Sequence, residues 1–104
     1  MRARQARPLH VRSSVPAGET IIDGRNTQYV LQFDGQIEHR TSNMEVTNNG
    51  KVVEALVSLR GSEPNTLVAS APTLPPGPYQ LHWRAKSVPG GDVSEGFIAF
   101  TVGR

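Results

Sequence analysis

Apolar and polar residues alternate with a period of two through most of this chain, in short segments set apart by turns. In TQYVLQF (Thr27–Phe33), Tyr29, Leu31 and Phe33 share one side, and Gln28 and Gln32 the other. In SNMEVT, Met44 and Val46 oppose Asn43 and Glu45. In PYQLHWRA, Tyr79, Leu81 and Trp83 oppose Gln80, His82 and Arg84, and in GFIAFTV the stronger apolar set is Ile98, Phe100 and Val102. VVEALVSL is less clean: with Val53, Ala55, Val57 and Leu59 facing inward, Val52 and Leu56 fall on the wet side. A period of two belongs to strands with one buried face. No window sustains the 3.6-residue period of an amphipathic helix.

Turn signals separate these segments about every ten residues: PAGE (Pro16–Glu19), DGRN (Asp23–Asn26), NNG (Asn48–Gly50), RGSEPN (Arg60–Asn65), PPGP (Pro75–Pro78) and PGG (Pro89–Gly91). Glycine supplies positive φ, proline fixes φ, and asparagine tolerates the left-handed region. A first strand near Leu9–Ser14 and a short one near Thr66–Ala69 bring the count to seven. The expected fold class is therefore all-β: a seven-stranded antiparallel Greek-key β-sandwich of immunoglobulin-like or cupredoxin-like type. The chain has 104 residues, 37% of them hydrophobic, enough for one domain with a thin core. We expect residues 1–7 to form a flexible basic arm and residues 8–104 the single domain.

The composition removes several chemistries. With no cysteine there is no disulfide, thiolate metal site or thiol catalysis. No apolar stretch approaches the ~20 residues that cross a bilayer. The opening MRARQAR has no apolar segment after its charges, so it is not a complete signal peptide. Net charge is +2, with Arg2, Arg4, Arg7 and Arg12 near one end; without aromatics among them these read as a solvated tail, and no nucleic-acid partner is expected. His10, His39 and His82 are far apart and fall in no hydrolytic motif, and the serines lack a nucleophile elbow, so no enzyme is expected.

Neutral imidazole ligates Cu(II) with carboxylate and amine partners, so each histidine is a candidate. His82 falls on the wet side of its strand and His39 in a polar loop beside Glu38, both positions of ordinary solvated histidines. His10 opens the first strand. Trp83 and Tyr79 share a side with Leu81, which places them in the core rather than on a stacking surface.

Four segments resemble the CopC family of copper-resistance proteins. LHVRSSVPAGE (Leu9–Glu19) is similar to that family's opening, YVLQF (Tyr29–Phe33) to its second strand, LPPGPYQLHWRAKS (Leu74–Ser87) to its Pro-Gly, Tyr, Trp-Arg segment, and EGFIAFTV (Glu95–Val102) to its final strand. The resemblance implies a periplasmic or extracellular copper carrier. In such carriers Cu(II) is held by the amine and imidazole of an N-terminal His with an Asp and a His from the loop before the last strand. Here that loop is PGGDVSEG, and matching Gly96 to the family's glycine puts Gly90 at the Asp position and Asp92 at the His position. Pro8 stands where the N-terminal His would be, and His10 at the third position, which is His in many members. A methionine-rich Cu(I) site is missing too, since Met44 is the single internal methionine.

The resemblance thus implies a non-enzymatic copper-homeostasis domain with a degenerate site. His10 and Asp92 would be its remaining metal ligands, and Cu(II), weakly held, its only cofactor. The partner would be a copper-transporting membrane protein or another envelope protein, with no membrane span in this chain. The alternative is an immunoglobulin-like protein-interaction module of the envelope without metal function.

Overall fold

The computed structural model describes residues 9–16, 21–22, 24–57 and 63–103. The expected basic arm, residues 1–7, lies outside them, as does Pro8. The strands are β1 (Val11–Val15), β2 (Ile21–Ile22), β3 (Asn26–Phe33), β4 (Asn43–Asn48), β5 (Lys51–Leu56), β6 (Thr66–Pro72), β7 (Gly77–Lys86) and β8 (Val93–Val102), with one 3-10 turn at His39–Thr41. They form two sheets, one ordered β1-β3-β6 and the other β2-β8-β7-β4-β5. All seven expected strands are present and pair antiparallel. The two-residue β2 is an addition, parallel to the end of β8 and too short to show any period in the sequence.

The alternation of β3, β4, β7 and β8 sets what lies between the sheets. Leu31, Phe33, Val46, Leu67, Ala69, Leu81 and Ala85 are fully buried there. Aromatic pairs join the two layers: Phe33 of β3 meets Trp83 of β7 edge-to-face at 5.1 Å, and Tyr29 of β3 meets Phe100 of β8 at 6.1 Å. Such pairs add about 0.5–1.5 kcal/mol each beyond their buried area.

Strand β5 departs from the expected facing. Leu56 is the buried residue, while Val53 and Val57 are exposed. The cause is a bulge: Val46 pairs with Glu54 but Thr47 pairs with Val52, so Val53 is the extra residue on β5 and the inward set shifts by one. The hairpin beyond it turns through Asn49 (φ 52°) and Gly50 (φ 81°), the positive φ pair that a tight two-residue turn requires.

Gly96 allows β8 to lie against Trp83. A Cβ there would stand 3.0 Å from Trp83 Cζ2 and 3.1 Å from Nε1, with the indole already wedged against Phe33. Gly96→Ala is therefore expected to cost about 1–3 kcal/mol, the usual penalty of overpacking. Urea unfolding followed by the fluorescence of Trp83, the only tryptophan, measures it. An unchanged midpoint would mean that the indole and β8 separate freely.

Candidate metal centre

His10 sits where the two sheets meet at one end of the sandwich. The preceding residue, Leu9, is buried and donates its backbone N–H to Ser94 Oγ of β8 at 2.9 Å. His10 itself is tied to the residue just past the end of β3. Its backbone N–H donates to Asp34 Oδ1 at 3.0 Å, its Nδ1 lies 3.2 Å from Asp34 Oδ2, and Asp34 returns a backbone N–H to the His10 carbonyl at 3.0 Å. When Nδ1–H donates to the carboxylate, the lone pair is on Nε2 of a ring that is 73% exposed. A carboxylate-oriented imidazole with an outward lone pair is a common metal-ligand arrangement.

The backbone N–H of His10 is the main cause that holds the Asp34 carboxyl below the usual carboxylate range; burial opposes it, and the imidazole's hydrogen bond and charge add to the lowering. Asp34 had no signal as a site residue in the sequence. Its only local mark is an Asp-Gly pair after an apolar strand, and its partner is 24 residues away.

Asp92 lies in the turn between β7 and β8. Its backbone N–H donates to Ser87 Oγ at 3.2 Å and its carbonyl accepts from Ser87 N–H at 2.8 Å, which closes the turn. Between the first half of β8 and the start of β1 runs an open groove of about 520 Å³, lined by Leu9, His10, Trp83, Ser94, Glu95 and Phe97 among others. The Leu9–Ser94 bond sets the start of β1 against the start of β8, two residues past Asp92, but the carboxylate bonded to His10 is Asp34.

The other histidines are not simply solvated, contrary to expectation. His39 Nε2 lies 3.1 Å from the Glu63 carbonyl and 2.8 Å from that of Thr66, so its N–H ties the 3-10 turn to the start of β6. His82, on the outer side of β7, lies between Glu45 at 3.0 Å and Glu95 at 3.2 Å, with its side chain only 18% exposed. Met44 is buried in the core, where it serves packing.

Cu(II) favours nitrogen and oxygen donors in a tetragonal set. His10 and Asp34 are the right donors in kind. They fall short in number: among the described residues no group of three or more His, Asp or Glu side chains is placed to hold a metal ion. Residues 1–8 contain no His, Asp or Glu either.

The CopC domain family matches residues 11–103 in sequence. Among solved structures, CopC from Methylosinus trichosporium OB3b is similar with a TM-score of 0.76 and 26% identity, over 90% of this chain and 92% of that one. PcoC, a methionine-rich copper resistance protein from Escherichia coli, is similar with a TM-score of 0.74 and 26% identity, over 93% of this chain and 100% of that one. A search of curated proteins found no match.

A pH experiment tests the His10–Asp34 geometry. A carboxyl held lower in the folded state stabilises the fold above the ordinary aspartate value of about 3.9, and the contribution is lost as pH falls through the folded-state value. Because the backbone N–H is the largest cause and survives the substitution, His10→Ala should leave the Asp34 carboxyl still below its ordinary value. NMR titration of the Asp34 carboxyl carbon in both proteins decides this; a return to the ordinary value in His10→Ala would assign the effect to the ring instead.

Proposed function

The chain belongs to the CopC domain family, and from that membership we propose that it is a non-enzymatic copper-handling domain of the cell envelope, with Cu(II) as cargo and a reduced ligand set. The observation that carries this reading is the His10–Asp34 pair at the mouth of the groove beside β8. His10 Nε2 supplies the nitrogen, Asp34 fixes the ring, and Asp92 from the β7–β8 turn is the second carboxylate at that end. Water fills the other positions, so the ion is held weakly and released readily, as suits transfer to a copper-transporting membrane protein or another envelope partner. The family's copper-resistance role and the similarity to the copper resistance protein PcoC support this reading, and so does the choice of donors. No helix among the described residues is long and apolar enough to cross a membrane. Family membership supports a location in the periplasm or outside the cell.

Titration of Cu(II) into the labelled chain, followed by paramagnetic broadening of amide signals, tests the proposal. Saturable broadening centred on Leu9, His10 and Asp34 is expected, and it should vanish in His10→Ala. Asp34→Ala should weaken binding by about 10-fold or more, the usual effect of removing a ligand-orienting carboxylate. Absence of broadening near His10 at saturating Cu(II) would sink the reading and point to a scaffold that serves protein contacts alone.

A further inference from the structure

A second constellation lies on the outer side of the five-stranded sheet. His82 is on β7, between β4 and β8. Glu45 stands directly across on β4, Phe97 directly across on β8, and Glu95 two residues earlier on the same side of β8. His82 Nδ1 is 3.0 Å from Glu45 Oε2, and Nε2 is 3.2 Å from Glu95 Oε1. The Phe97 ring lies over the imidazole at 4.6 Å with a tilt of 30°, which restricts its rotation.

A neutral imidazole has one N–H and can donate to only one of these carboxylates. An imidazolium donates to both; in the neutral ring the second contact sets a nitrogen lone pair against a carboxylate oxygen, and a metal ion can take the place of the lost proton there. We assign the proton to Nδ1, because Glu45 is the closer and the less exposed of the two partners. The bare Nε2 then faces Glu95. Donors about 2.0–2.1 Å from a metal ion stand about 3 Å apart when they are adjacent in its coordination shell. The separation of Nε2 and Oε1 already meets that condition. Glu45 on the opposite nitrogen takes the part of the carboxylate that orients a ligating histidine.

We propose that His82 Nε2 and Glu95 Oε1 form a second metal site, backed by Glu45 and taking a borderline divalent ion of the Cu(II) class. Two protein ligands leave the remaining positions to water, in keeping with the lack of any three-ligand group among the described residues. Nitrogen with oxygen favours Cu(II) over the other first-row divalent ions. The site shares no ligand with His10. It is therefore a distinct pair of ligands on the same domain, although Glu95 and His10 line the same groove.

The full chain is titrated with Cu(II) alone, and amide broadening is recorded for the unaltered protein, His10→Ala, His82→Ala, His82→Gln and Glu45→Ala. Trp83 fluorescence confirms that each variant is folded, and His82→Gln keeps a polar side chain beside Glu45 should His82→Ala unfold. Broadening around Glu45, His82 and Phe97 that survives His10→Ala and disappears in both His82 variants supports the proposal. About 10-fold weaker broadening-derived affinity in Glu45→Ala supports the orienting role. Broadening confined to the His10 end, or unchanged by loss of His82, overturns the second site and leaves the His10 reading standing. Broadening at His82 with none at His10 does the reverse.

Discussion

Strand β7 has hydrogen-bonded neighbours on both sides, β4 and β8, over most of its length. It therefore cannot rotate or slip by one residue without breaking two ladders at once. That constraint fixes the parity of every side chain on it. Leu81, Trp83 and Ala85 must face the three-stranded sheet, and Gln80, His82 and Arg84 must face outward. Trp83 then fills the space between Phe33 and Gly96, and this contact ties β3, β7 and β8 into one packed unit. The same parity puts His82 between two carboxylates that reach it from the flanking strands. The core and the outer cluster follow from one register.

The three histidines show how a small β-sandwich assigns one residue type to different tasks. His39 uses its ring nitrogen to satisfy two backbone carbonyls, and the connection after β3 is thereby held to β6. His10 lies at the exposed start of β1, where a single carboxylate orients it and water reaches the rest. His82 is sandwiched across three strands with an aromatic ring over it. Only the last two have a carboxylate on a ring nitrogen, the arrangement that orients a ligating histidine.

Membership of the CopC domain family fits this division. The structure retains the family's sandwich at TM-scores of 0.74–0.76, although identity is only 26%. A fold persists at low identity because its requirements are volume and alternation, which many residues meet. A metal site depends on particular atoms, and one substitution removes a ligand.

The sequence by itself determined the fold class, the seven main strands and the inward sets of β3, β4, β7 and β8, since period-two burial is a local property carried by each segment. It also carried the family, through the Pro-Gly, Tyr, Trp-Arg segment around Trp83, and it identified His10 as the histidine at the start of the first strand. The facing of β5 was not legible, because the bulge at Val53 exists only in the pairing with β4. Nor was Asp34, whose contact with His10 spans 24 residues, or the bracketing of His82 by Glu45 and Glu95, which spans 37 and 13. Those carboxylates look like ordinary exposed charges in the chain. Tertiary structure alone decided them, because cross-strand register brings such groups within bonding distance, and register is a relation between segments that neither segment contains.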